Sequence, residues 1–147
     1  KIYIFRFPNV VGCPSTHGVI HDFIKKLKKN SYNLNVLGNG KQKKIYMHVD
    51  DLINSMIYVV NNSKTNISLF NLGPRDDGVT VKFISEEVVK YFPKNRKISF
   101  QKKQKGWVGD VPLFRYSTNK FQKFAPKIKK YSKDAIKKAV KELALKR

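Results

Sequence analysis

Asn9 follows a short apolar run, Ile2-Tyr3-Ile4-Phe5, and the breaker Pro8. At such a strand-to-loop junction its side-chain amide can donate to a phosphate oxygen or a sugar hydroxyl; a turn asparagine can equally bond its own backbone. Gly18-Val19-Ile20 opens a helical pattern, and helix N-termini attract anions, although Val19 and Phe23 also read as core-facing positions. Lys41, Lys43 and Lys44 follow the Gly38-Asn39-Gly40 turn and, by residue type, read as a solvated basic strand edge. Trp107, the one tryptophan, stands between glycines, where it can stack on a base or sugar face or plug the core. His17 and His21 lack a neighbouring carboxylate and read as surface residues. Asp50 and Asp51 read as helix caps. Cys13 has no partner for an internal disulfide, and no paired Cys or His spacing offers a metal site. The expectation is therefore no metal, and a reducing, cytoplasmic setting.

These residues need elements to hold them. A strand is expected over residues 2–7, then a turn at Asn9-Val10-Val11-Gly12 and a breaker-rich loop at Pro14-Ser15-Thr16-His17-Gly18. Val19, Ile20, Phe23, Ile24 and Leu27 recur at helical spacing to about Lys29. Asn30 to Asn35 reads as a connector, Val36-Leu37 as a brief strand and Lys44 to Val49 as an extended piece. A helix to about Val60, capped by Asp50 or Asp51, would bury Leu52, Ile53, Met56, Ile57 and Val60. Ile67 to Leu72 reads as a strand. Thr80 starts a helix that turns Phe83, Ile84, Val88 and Tyr91 inward and is stopped by Pro93. Lys97 to Gln101 reads as a strand, and Lys102 to Tyr116 as irregular. A last helix after Ser132 carries Ile136, Ala139, Val140 and Leu143 on one face.

The 147 residues, 41% hydrophobic and 12% aromatic, suit one mixed α/β domain with a real core. No apolar run reaches the roughly 20 residues that span a bilayer, and the N-terminus is wrong for a signal peptide, so no membrane partner is expected. A chain that opens inside a strand, without a lead-in, reads as a piece of something longer. The formal net charge of +21 attracts nucleic acid, phosphorylated ligands and acidic membranes alike.

Four segments in register carry a resemblance. Arg6-Phe7-Pro8-Asn9-Val10-Val11-Gly12 resembles the R-x-x-N-V-x-G segment of the extended short-chain dehydrogenase/reductase family. The run from Gly38-Asn39-Gly40 through Gln42 and Lys44 to His48-Val49-Asp50-Asp51 is similar to that family's G-x-G-x-Q-x-R-D-[YW]-[IL]-[HY]-V-x-D. Phe70-Asn71-Leu72-Gly73 resembles its [YF]-N-[IL]-G strand end, and Gly109-Asp110 falls where the family has a late G-D. The resemblance points to the NAD-dependent nucleotide-sugar epimerase/dehydratase branch, such as UDP-glucose 4-epimerase.

That resemblance implies an α/β fold, the C-terminal portion of a Rossmann-type enzyme, with the last parallel strands plus a small α/β substrate-binding lobe. Residues 1–147 would be a single C-terminal substrate-binding region, with 1–12 and about 44–73 belonging to the Rossmann sheet of the whole enzyme. The first strand would be buried on both faces, as parallel-sheet strands are. The family transfers a hydride between the sugar and NAD (or NADP), with a tyrosine as acid/base. By the resemblance no catalytic residue lies in this chain, because the expected Y-x-x-x-K belongs upstream of Arg6 and the chain alone would be inactive. Tyr116-Ser117-Thr118-Asn119-Lys120 matches that spacing but falls on the wrong side of the order, and reads as a surface segment. The cofactor would be held mainly by the missing N-terminal half, with Phe7, Pro8 and Asn9 near the nicotinamide.

The resemblance also implies a nucleotide-sugar partner such as a UDP-sugar, bound by Asn9, Gly18, Val19, Phe23, Gln42, Lys44, His48 and Trp107, and a homodimer as the whole enzyme. Tyr46 and His48 would flank the base or phosphate. Several positions depart from the pattern: Lys44 stands for an arginine, Ile45 for an acid, Trp107 for an arginine and Ser117 for an aspartate. Lysine keeps the charge but loses the bidentate fork. Two alternatives remain at this point. One is a basic nucleic-acid-binding domain, using Phe100, Trp107, Phe121 and Phe124 among lysines, although no zinc-ligand, RNA-sheet or zipper motif supports it. The other is a degenerate, non-catalytic homologue.

Overall fold

The computed structural model describes residues 1–29, 32–102, 116–128 and 130–145. β1 (Ile2–Arg6) lies parallel to β6 (Ile67–Asn71), with Phe5 opposite Phe70 and Ile4 opposite Leu69. Because side chains alternate across a strand, Tyr3, Phe5 and Phe70 share one face. That face joins Leu52 and Val59 of α2 (Val49–Asn62) and Phe121 of α4 (Asn119–Phe124) in a core cluster. The opposite face carries Ile2, Ile4 and Ile67, which are 56%, 43% and 65% exposed. β1 is thus covered on one face only. The second face, expected to be buried in the sheet of the whole enzyme, is covered by no described residue.

α2 departs from expectation in the same way. Its buried positions are Leu52, Ser55 and Val59, with Met56 half-buried, whereas Ile53, Ile57 and Val60 are exposed. The helix has two adjacent apolar stripes, and periodicity cannot say which one the described chain covers. Its cap also differs: His48, not Asp50 or Asp51, accepts the Asp50 N–H at the N-terminus. Asp50 instead pairs with Lys138, and Asp51 with Lys130 at 2.7 Å.

A second cluster gathers three helices over short strands. α1 (Val19–Lys28) buries Ile20, Phe23, Ile24 and Leu27, each contributing about 1.5–3 kcal/mol on burial. Its neighbours are α3 (Val81–Val89) and α5 (Ser132–Leu145), which bring Ile84, Val88, Ile136, Ala139 and Val140. Thr80 caps α3 by accepting the Phe83 N–H, as its type favours. Tyr91 is exposed rather than inward, because the helix ends before reaching it.

The strands of this part are short. The Asn9–Val11 segment, expected as a turn, is strand β2, parallel to β5 (Tyr46–His48) with Asn9 opposite Tyr46. β3 (Asn33–Val36) begins inside the expected connector and lies parallel to β8 (Lys97–Phe100), burying Leu34 and Val36. β4 (Lys43–Lys44) pairs antiparallel with β7 (Val79–Thr80). α4 has only six residues, too few for a periodic signal, and was not foreseen.

Candidate functional site

The end of β2, the start of α1 and the β4–β5 segment converge on two adjoining clefts. The larger, about 590 Å³, is lined by Asn9 to Ile20 together with Lys44, Tyr46, Val49 and Leu143. The smaller, about 250 Å³, is lined mainly by apolar groups, among them Val19, Phe23, Val36, Leu37 and Val81, with Gln42 and Asp22 at its polar side. Gly18, Val19, Lys44 and Tyr46 line both.

Each of these side chains is placed for a local reason. Gly18 precedes α1 at φ 96, a conformation that glycine adopts without steric cost, and no side chain caps this helix end. The positive end of the helix dipole therefore faces the shared part of the clefts. Asn9 donates from Nδ2 to the Ile45 carbonyl at 3.2 Å. An amide nitrogen carries two hydrogens, so this bond orients Asn9 without exhausting its donors. Lys44 is half-buried between the clefts, Tyr46 is buried, and Gln42 is buried beside the smaller cleft. A helix terminus, a lysine, an oriented amide and a narrow apolar slot together suit an anion joined to a flat or apolar group.

Seven of the positions singled out by sequence thus come together: Asn9, Gly18, Val19, Phe23, Gln42, Lys44 and Tyr46. Others do not. Phe7 is exposed and Pro8 buried between β1 and β2, and neither lines a cleft. His48 is 1% exposed and lines neither cleft; its Nε2 lies 3.0 Å from Glu142 Oε2 and its Nδ1 accepts the Asp50 N–H. Those contacts occupy both ring nitrogens and tie α2 to α5. Trp107 and Gly109-Asp110 lie outside the described residues.

His48, Asp50 and Glu142 bring possible ligand atoms within 4.8 Å of one another. The cation among them is the Lys138 ammonium, bonded to Asp50 and 3.9 Å from Glu142. The hydrogen bond from Lys138 lowers the Asp50 carboxyl below its ordinary value, and the same bond raises Lys138. A metal would have to displace that ammonium.

The Tyr116-x-x-x-Lys120 spacing also resolves. The Tyr116 hydroxyl donates to the Leu72 carbonyl at 2.6 Å, and burial pushes its phenol well above the ordinary tyrosine value. A tyrosine that works as an acid/base near neutrality needs the opposite shift. Lys120 donates to the Leu69 carbonyl and lies over the Phe70 ring. Both residues brace β6. The aromatics that favoured nucleic acid are likewise spoken for in part, since Phe121 is buried and Phe124 packs on Tyr58 and Phe70.

A dinucleotide calls for a glycine-rich turn that opens into a helix. Gly38-Asn39-Gly40 opens into β4, and a Cβ on Gly40 would lie 2.5 Å from the Phe100 ring, so that glycine serves packing. The described residues do not fit a complete NAD site. No described helix is long and apolar enough to cross a membrane.

Sequence missed the Cys13 to Thr16 part of the larger cleft wall, where breaker residues carry no chemical signal. It also missed Val36 and Leu37 in the smaller one, whose apolar types read as core.

Residues 1–73 match the NAD dependent epimerase/dehydratase family. None of the curated proteins matches the chain by sequence. Among solved structures, the chain is similar to a UDP-galactose 4-epimerase at 28% identity and a TM-score of 0.76, over 97% of this chain and 45% of that one. It is also similar in fold to UDP-glucuronic acid 4-epimerase from Bacillus cereus, solved with UDP-glucuronic acid and NAD, at 19% identity and a TM-score of 0.73, over 97% and 45%. A third is dTDP-glucose 4,6-dehydratase from Bacillus anthracis, in complex with NAD, at 16% identity and a TM-score of 0.72, over 96% and 44%. The chain spans less than half the length of these structures.

Proposed function

We propose, from a chain whose residues 1–73 are of the NAD dependent epimerase/dehydratase family and whose described part has the Rossmann-type α/β fold of such enzymes, that it is the sugar-nucleotide-binding part of an NAD-dependent epimerase or dehydratase. The observation that carries this reading is the meeting of the two clefts at Gly18, Val19, Lys44 and Tyr46. The smaller, apolar cleft takes the base, and Phe23 forms part of its wall. Lys44 and the α1 terminus neutralise the diphosphate between the clefts. The larger cleft takes the sugar, with Asn9 as a hydrogen-bond donor at its rim.

In this reading the acid/base tyrosine and the dinucleotide turn lie in a part of the full-length protein beyond these 147 residues. Phe7, Pro8 and Asn9 would border the nicotinamide where β1 ends. The exposed Ile2, Ile4 and Ile67 support such a neighbour, because an apolar sheet face is costly to leave in water. This chain alone would turn nothing over. The whole enzyme would be a cytoplasmic homodimer, its contacts made outside this chain.

Calorimetric titration of UDP-glucose into the full-length protein tests the reading. The expected result is saturable binding, competed by UDP and weakened about tenfold by Lys44→Ala through loss of a charge-assisted contact. No saturable binding, together with salt-sensitive binding of RNA, would replace it with the nucleic-acid reading.

A further inference from the structure

Lys44, Ile45 and Tyr46 form a wall, with Lys44 and Tyr46 facing the two clefts and Ile45 lining a separate polar cavity of about 440 Å³. Asp76, in the loop after β6, lines that far cavity and neither cleft. We propose that Asp76, acting through Ser132 and Gly78, is the positioning residue of the candidate site; this rests on the reading of the clefts as the nucleotide-sugar site.

The Asp76 carboxylate accepts three donors. Its Oδ1 takes the Ser132 hydroxyl at 2.7 Å and the Gly78 N–H at 2.8 Å, and its Oδ2 takes the Ser132 N–H at 2.6 Å. Ser132 is fully buried, and its Oγ accepts the Tyr46 N–H at 3.2 Å. A hydroxyl has one proton and two lone pairs. Once the proton goes to Asp76, a lone pair is committed to Tyr46, which makes the relay directional.

The second arm reaches Lys44. Gly78 stands at φ +91, and a Cβ there would lie 2.1 Å from the Lys44 carbonyl oxygen, so the turn is pressed against that backbone. Val79 then pairs with Lys44 in the β4–β7 ladder. One carboxylate therefore holds the wall at both of its cleft-facing residues from behind, as sites fixed by a supporting layer are held. Asp76 would touch no ligand.

Ser132→Ala removes the acceptor for Tyr46, and Asp76→Asn replaces one accepting oxygen with a donor. Two measurements on the full-length protein separate positioning from a general loss of stability: amide hydrogen exchange across the chain, and UDP-glucose affinity of the folded variant. The expected result is faster exchange confined to the Lys44–Tyr46 segment, with β1 and β6 unchanged, and UDP-glucose affinity lowered about tenfold in Asp76→Asn. Unchanged exchange at Lys44–Tyr46 overturns the proposal, as does faster exchange there with unaltered affinity. If the unsubstituted protein fails to bind UDP-glucose, the nucleotide-sugar reading falls. Local exchange then decides the positioning role alone: an increase in the variants upholds it, and none overturns it.

Discussion

Tyr116 shows what residue type and spacing can and cannot convey. Its four-residue separation from Lys120 imitates an acid/base pair, yet its hydroxyl is spent on the Leu72 carbonyl and its ring is half-buried. Tyr116→Phe should cost about 1 kcal/mol of stability, the net worth of one such hydrogen bond, and leave UDP-sugar affinity unchanged. The pH dependence has a definite sign. Burial raises the folded-state value of the phenol above the unfolded one, so the folded form holds its proton longer. The contribution is fully present below the ordinary tyrosine value of about 10 and is lost as pH rises from there towards the raised value. Urea melts at pH 8 and about 10.5 should converge for Tyr116→Phe and the unsubstituted protein as the alkaline loss sets in. A parallel drop in both proteins would mean that Tyr116 titrates normally. Asn9 and Gly18, which line the clefts, were legible because family pattern and residue chemistry agreed at each, and Lys44 because it keeps the charge of the arginine it replaces. Asp76 was not, because beside its local bond to Gly78 its other partner, Ser132, is joined to it only by the fold, 56 residues away in sequence.

Among the elements, α2 was legible as a helix and misread in its details. Asp50 and Asp51 have the residue types that cap helices, but His48 does the capping from the end of β5, where β-region backbone already aims its ring at the first turn. Histidine gives little statistical signal for that role. Its other nitrogen meets Glu142 of α5, so one side chain closes α2 and joins it to the C-terminal helix. His48→Ala should therefore cost about 1–2 kcal/mol in urea melts, the range for a lost cap, while His48→Asn, which can still cap, should recover most of it. Equal losses in both variants would assign the stability to the Glu142 contact instead. β2 was missed, and β3 was placed at Val36-Leu37 instead of Asn33–Val36, because three or four residues cannot display a period. Their ladders come from partners far along the chain, Tyr46–His48 and Lys97–Phe100.

At the scale of the whole molecule, the apolar residues that sequence reading buried and the fold leaves exposed, Tyr91 apart, lie on two elements. Ile2, Ile4 and Ile67 occupy the open face of the β1–β6 pair, and Ile53, Ile57 and Val60 the outer stripe of α2. Periodicity registers only that a residue is apolar, so it counts a surface awaiting a neighbour as core. If the remaining half of the fold covers the sheet face, Ile4→Ala in the full-length protein should cost about 2–5 kcal/mol, as deletion from a packed core does. A solvent-facing isoleucine would lose no more than about 0.5 kcal/mol on the same substitution. The two magnitudes lie far enough apart for denaturant melts to choose between them. The larger value would place β1 inside a sheet covered on both faces. The smaller would mean that β1 stays open in the whole protein, and that the proposed dinucleotide-binding half would have to approach Phe7, Pro8 and Asn9 without packing on the strand that leads to them.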